Sequence, residues 1–363
     1  MFGTYRTFLA LVVMAHHLLG IEVIGHYAVH GFFILSGYLM TLIMCEKYGY
    51  SISGVRCFAI NRWLRLYPSY FVILALTVCV VAFYGEDLTI AYRNSIFLPH
   101  SLAGWAQNIS LVFPSIFPTS EVPRLSPPTW SLTVELMYYV LIATGLSRSR
   151  RSCLAWLIVS AVYMLATHVL ELGYQYRYDM IFAGSLPFAL GANIYHYRDR
   201  LCALLSSASK PLPVMGLLVL FLLNGFWAAM ASARNGSELA FYISYYSNYL
   251  INCLLIVSLI NFRLPILTVE LDQRIGEFSY PMYLLHWQAG FISSMLLWGR
   301  PVSGLGSHGV MSFIFALALC VILSQLIVTF VEHPIQKLRF KIGDSAKSPQ
   351  AVRHQPAELA KVC

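Results

Sequence analysis

Long apolar stretches alternate with short polar ones along the chain, and ten of them approach the ~20 residues that a helix needs to cross a bilayer. They fall near 5–24, 27–45, 66–85, 130–147, 152–170, 179–197, 211–231, 239–260, 279–298 and 310–331. The sixth, which contains Asp179, and the eighth, rich in tyrosine, are the weakest of the ten. The first has no lysine-rich start and no small-residue cleavage site, so it reads as a retained helix rather than a removed leader. One connection is long, from about residue 86 to 128, and it carries prolines and aromatics such as Pro114, Pro118, Trp105, Phe113 and Phe117. Aromatic content argues against disorder there. Two readings stay open: a lid or substrate platform, or a packed cap. No repeat or low-complexity segment divides the chain. Residues 1–340 read as one transmembrane domain, and 341–363 as a short polar cytoplasmic tail expected to be disordered.

Composition sharpens this picture. Of 363 residues, 58% are hydrophobic and 11% charged, against roughly 25% charged in soluble domains. The formal charge of +8 raises the question of nucleic acid. The basic residues form no single patch, however, and sit between the apolar spans. With ten alternating helices, 19 of the 24 Lys and Arg residues fall on the side of the termini and five on the other. By the positive-inside rule both termini are cytoplasmic. The expected fold is therefore an all-α, polytopic integral membrane bundle of about ten transmembrane helices, with the lipid bilayer as partner and no nucleic acid. The eight cysteines are scattered, with neither a CxxC pair nor zinc-site spacing, so neither disulfide nor metal is expected. Two sequons, at Asn108 and Asn235, fall on the outer side.

An ionisable side chain within the hydrocarbon is a functional candidate by default. Arg6 and His17 are eleven steps apart, only ~20° past three full turns and ~16.5 Å along the axis, so they share a helix face. His16 points about 100° away, which suits packing against a neighbouring helix. In the fourth span, Ser131, Glu135 and Tyr138 follow i, i+4, i+7 and share a face. The expected depths of Glu135 and His17 agree to about a turn, making them a candidate base and orienter. Ser279, Tyr283 and His286 repeat the spacing in the ninth span, with His286 expected somewhat lower and lining the same channel. Arg62 and Arg65, at the cytoplasmic mouth of the third span, suit phosphate groups. Structural readings compete: the arginines as topology signals, Glu135 as an interfacial cap, and His30 and Asp179 as packing or capping residues.

These residues carry a resemblance. Arg6…His17, Gly31-Phe-Phe-Ile-Leu-Ser-Gly37-Tyr38, Arg62-Trp-Leu-Arg65-Leu-Tyr-Pro68, Trp130-Ser-Leu-Thr-Val-Glu135-Leu-Met-Tyr138-Tyr139, Gly276-Glu-Phe-Ser279-Tyr280-Pro-Met-Tyr283-Leu-Leu-His286 and Glu332-His-Pro334 stand in order along the chain. Together they resemble the membrane-bound acyltransferase 3 family, whose members O-acylate bacterial surface carbohydrates. The resemblance implies an O-acyltransferase of the bacterial inner membrane, in a stand-alone form without an appended esterase domain. Its donor would be acetyl-CoA or another acyl-CoA, with no permanently bound cofactor. Its acceptor would be a carbohydrate or glycolipid such as exopolysaccharide, O-antigen or peptidoglycan. Arg6, Arg62 and Arg65 would hold the donor, His17 and Glu135 would be catalytic, and Ser131, Tyr138, Ser279, Tyr283 and His286 would line the channel. The His16–His17 doublet leaves either imidazole open as the acting one. The alternative class is a transporter or flippase without acyl transfer. Such folds show inverted repeats, and none is visible here.

Overall fold

The computed structural model describes residues 1–113, 123–205, 210–233, 237–261 and 267–345. Pro114, Phe117 and Pro118 of the long loop, Asn235, Arg234, Arg263 and the tail beyond 345 lie outside them. Among the described residues all regular structure is helical. The longer apolar helices are α1 (Phe2–Leu19), α2 (Ile24–Ile43), α3 (Ile52–Tyr84), α6 (Thr129–Ala143), α7 (Arg150–Val169), α8 (Ser185–Leu204), α9 (Pro211–Ala233), α10 (Glu238–Asn261), α12 (Ser279–Trp298) and α13 (Ser307–Ile327). Short helices α4 (Glu86–Tyr92) and α5 (Leu102–Ser110) occupy the long loop. Helix α11 (Val269–Glu277) precedes α12, and α14 (His333–Ser345) follows a π-helical turn at Val328–Glu332.

Each expected apolar stretch lies on a helix. By length and apolarity alone, six segments are able to cross a membrane: Ile24–Tyr48, Ile52–Tyr84, Arg150–Val169, Pro213–Ser232, Glu238–Ile260 and Ser307–Ile342. Several boundaries differ from expectation, for local reasons. Helix α1 stops at Leu19 because Gly20 takes the left-handed conformation (φ 70°), a conformation glycine adopts without a Cβ penalty. Helix α3 starts at Ile52, where the Ser51 side chain accepts from Gly54 N at 3.1 Å, so Arg62 and Arg65 lie within the helix instead of at its mouth. Helix α8 starts at Ser185, leaving Asp179 in the preceding loop. Residues 341–345, expected in the disordered tail, continue helix α14.

Helices α1 and α2 form the centre. Helix α1 packs on α2, α11, α12 and α13, and α2 packs on α8, α10, α6 and α9. Close approach of α2 and α8 depends on two glycines. A Cβ on Gly37 would lie 2.2 Å from the Phe188 carbonyl oxygen, and one on Gly191 would lie 2.0 Å from that of Ile34. Small residues serve the same purpose wherever helices pack without a hydrophobic driving force. The start of α1 is held by one carboxylate: Asp272 accepts from Gly3 N at 3.1 Å, Thr4 N at 2.8 Å and Thr4 Oγ1 at 2.7 Å. Negative charge at a helix N-terminus completes unpaired N–H groups and complements the dipole.

The described part of the long loop is a packed cap. Tyr67 and Tyr70 of α3 donate to the carbonyls of Ser110 and Asn108 at 2.6 and 2.5 Å. The Asn108 side chain is fully buried, donating to Pro123 O at 2.8 Å and accepting from Leu125 N at 3.0 Å. This sequon asparagine is therefore a structural strut.

Candidate active site

Two clusters form at opposite ends of α1. At the Arg6 end, a cavity of about 850 Å³ is lined by Arg6, Arg62 and Arg65 together with Glu332, Lys337 and Arg339. Three separately predicted arginines thus meet in one space. Their surroundings differ. Arg65 is ion-paired with Glu332 at 2.7 Å, and Ser69 Oγ donates to the same carboxylate at 3.1 Å. Arg62 donates to Asn61 Oδ1 at 2.9 Å, and its Nε is buried without a hydrogen-bond partner among the described residues.

At the other end, His17 occupies the last turn of α1. Its ring stacks on His286 of α12, with centroids 5.2 Å apart and planes 3° from parallel. Trp287 lies 5.0 Å away and His16 4.6 Å away. Above Trp287, Tyr92 meets the indole edge at 5.8 Å, and the Arg93 guanidinium sits 5.1 Å over it. His286 is fully buried, with Nδ1 2.8 Å from the Tyr283 carbonyl. A carbonyl accepts, so Nδ1 carries the proton, and Nε2 is left as an acceptor with no partner among the described residues.

His286 was expected below His17, but the structure puts the two level. Thr7 Oγ1 donates to Ile275 O at 2.6 Å, so α12 starts already raised along α1. Eleven residues past Ile275 is His286, and ten past Thr7 is His17.

The expected pairing of His17 with Glu135 is not made. Glu135 accepts from Ser36 Oγ and Tyr139 OH, each at 2.5 Å. It lies in electrostatic reach of Arg62 and Arg65. Because α1 ends at Leu19, His17 sits in a terminal turn, while Glu135 is six residues inside α6 and faces α2 and α3. Tyr138 also departs from the expected channel. Its hydroxyl donates to Ile181 O at 3.0 Å, and its ring stacks on Phe188 and Trp156. Tyr139 takes the place expected for it. Ser279 Oγ donates to Gly276 O at 2.7 Å, joining α11 to α12 instead of facing a channel.

Ser131 and Tyr283, both expected in the channel, do meet, with hydroxyls 2.7 Å apart between α6 and α12. His16 packs as its angle predicts, since a Cβ on Gly25 of α2 would come within 2.4 Å of its ring. His30 is enclosed by Asn248, Tyr245 and Tyr249 at 3.3 to 3.4 Å, which fits the structural reading. Asp179 lies in electrostatic reach of Arg124.

Sequence reasoning missed Ser36, Tyr139, Trp287, Asn61 and Arg339. Of these, Ser36 and Tyr139 lay inside recognised motifs. Arg339 counted only as a tail charge. The described residues hold no group of three His, Cys, Asp or Glu able to bind a metal. His17 and His286 meet face to face, while His16 is tilted 54° to His17.

Comparison with known proteins adds the class. The family model described as an acyltransferase domain (Acyl_transf_3) matches residues 4–329. The chain belongs to this acyltransferase family. Two curated relatives are similar to it. One is the Bacillus subtilis (strain 168) protein named "Putative peptidoglycan O-acetyltransferase YrhL", 30% identical over 173 residues, covering 44% of this chain and 27% of that protein. The chain thus spans about a quarter of that relative's length. The other is an uncharacterized protein of Aquifex aeolicus (strain VF5), 22% identical over 217 residues, 60% of this chain and 90% of the relative. No solved structure matches. The chain thus joins membership of this acyltransferase family to apolar helices long enough to cross a membrane.

Proposed function

We propose that this acyltransferase is a multi-pass protein of the bacterial inner membrane, with ten spans and both termini cytoplasmic. It transfers an acyl group, most simply acetyl, from cytoplasmic acyl-CoA to a hydroxyl of a cell-surface or exported carbohydrate. The observation that carries this reading is the placement of one arginine-lined cavity at the Arg6 end of α1 and, at the other, the half-buried His17 stacked on the buried His286. The two ends are ~16.5 Å apart along the helix. A donor with a phosphorylated head and a long arm fits that separation. The 19-to-5 distribution of basic residues over ten alternating spans supports a cytoplasmic side for the cavity.

In this reading the arginines hold the phosphates and the arm runs up past Glu135 and the Ser131–Tyr283 pair. His17 takes the proton of the acceptor hydroxyl, whose oxygen attacks the thioester carbonyl. The new C–O bond forms, the C–S bond breaks, and the thiolate leaves with that proton. Alternatively His17 carries the acyl group transiently before the hydroxyl takes it. Glu135 acts on the arm's path, since its hydrogen bonds go to Ser36 and Tyr139. The relative's name makes peptidoglycan one acceptor to assay beside exopolysaccharide and O-antigen.

The test is transfer of radiolabel from acetyl-CoA to envelope carbohydrate in membranes with the wild type, His17→Ala or empty vector. Base-labile label with wild type alone is expected. Absence of label in every sample, with unmodified glycolipid or solute moved across the membrane, would replace this reading with transport.

A further inference from the structure

An aromatic cluster adjoins His17 on the side away from His286. His16 packs on His17 and meets the His26 ring at 5.1 Å. His26, in the first turn of α2, lies 4.1 Å from Tyr178 and 5.8 Å from Tyr174, ring centre to ring centre. Both tyrosines belong to the connection between α7 and α8. Trp130, in the first turn of α6, completes the group 5.0 Å from Tyr178. Ring contacts therefore run without a break from His17 to a place where three segments meet at that end of the bundle. His26, Tyr174 and Trp130 are half-buried, and Tyr178 is 7% exposed.

The polar atoms of this cluster separate it from ordinary packing. Around neighbouring His30, Nδ1 faces Asn248, Nε2 faces Tyr245 and Tyr249, and the Tyr245 hydroxyl donates to Arg177 O. Each ring nitrogen and hydroxyl there has a partner. Around His26 one such bond forms, between Nδ1 and Tyr174 OH at 3.0 Å. The Tyr178 hydroxyl, Trp130 Nε1 and His26 Nε2 have no hydrogen-bond partner among the described residues. Enclosed polar groups are costly unless something completes them. Aromatic walls with a few such groups are the lining of a small-ligand site. Tyr178 also lies in electrostatic reach of Tyr283, whose hydroxyl meets Ser131, so the cluster borders the path given to the donor's arm.

We propose that His26, Tyr174, Tyr178 and Trp130 form the acceptor platform, on which one sugar ring of the carbohydrate sits. Chemistry sets the class of ligand. A pyranose offers C–H faces that pack on aromatic rings and hydroxyls that both donate and accept. Those hydroxyls complete the Tyr178 hydroxyl, the Trp130 N–H and His26 Nε2, and one further hydroxyl is presented past His16 to His17. This assignment rests on the acyl-transfer reading above.

The experiment uses the full-length protein in nanodiscs and, as probe, oligosaccharides released from the cell envelope. Label transfer from acetyl-CoA is measured as their concentration is varied, and their equilibrium binding is measured alongside. Tyr178→Phe and Trp130→Phe each keep an aromatic ring and remove one donor, so the fold is preserved. Each is expected to raise the KM for oligosaccharide about 3- to 10-fold, the loss of one neutral hydrogen bond, and the double variant more. The KM for acetyl-CoA should stay within twofold. Tyr249→Phe, from the fully partnered cluster, should leave the oligosaccharide KM unchanged. An oligosaccharide KM within twofold of wild type in the double variant, with transfer intact, would overturn the platform and leave acyl transfer standing. An equal rise from Tyr249→Phe would make the effect one of packing and overturn it too. Oligosaccharide binding that needs Tyr178 and Trp130, without any transfer, would uphold the platform and sink the acyl-transfer reading. Wild type that neither binds nor acylates the oligosaccharides would overturn the platform.

Discussion

The two ends of α1 differ as places to do chemistry. The Arg6 end is a cavity of about 850 Å³ with several cationic side chains on its walls. The His17 end is a half-buried nest in which His17 stacks on the enclosed His286 beside Trp287, with Tyr92 and Arg93 at its rim. Space and charge suit recognition of a large anion. Packing against the buried His286 and Trp287 suits a step in which water is restricted, since a thioester exposed to water can be hydrolysed. In the proposed reading binding and reaction are divided between two ends of one helix, so a ligand serving both would span about three helical turns. Glu135 belongs to neither end. It ties α2 to α6 through Ser36 and accepts a second bond within α6 from Tyr139.

The largest effect should come from the His17 end. His17→Ala should lower acyl transfer about 10²- to 10⁴-fold, the range for a lost general base, with membrane insertion and melting temperature near wild type. Near-normal turnover would move the role to His16 or to His286, whose Nε2 is also an acceptor. At the open end, Arg62→Gln should raise the KM for acyl-CoA about 10- to 100-fold, with kcat changed far less. Equal loss of kcat would mean that the two ends are not divided as described. Glu135→Gln should fall between these in kind and below them in size, with about a tenfold loss from weakening two charge-assisted bonds. The pH dependence of kcat should keep its shape. A changed pH profile would restore Glu135 as the orienter of His17. The smallest effect belongs to Tyr138→Phe, which removes the bond to Ile181 O and should cost about 1 kcal/mol of stability. Its rate should stay within twofold, and a large rate loss would return Tyr138 to the channel.

The helical class, the apolar helices to within a turn or two in most cases, and the grouping of Arg6 with Arg62 and Arg65 were legible in the chain itself. Those follow from periodicity, apolar run length and the positions of Lys and Arg, which are properties of short windows of chain. Helical spacing also placed His16 against a neighbour and brought Ser131 near Tyr283. Only the tertiary structure decided vertical register. Gly20 ends α1 early, and Thr7 fixes α12 through Ile275, so His286 rises to the level of His17 while Glu135 does not. A helix records the angle between its own residues, but its height against another helix is set by the contacts between them. The same reason hid Arg339 among tail charges. Its partnership with Asn61 and Arg62 spans nearly 280 residues of chain and exists only once α14 folds back against α3.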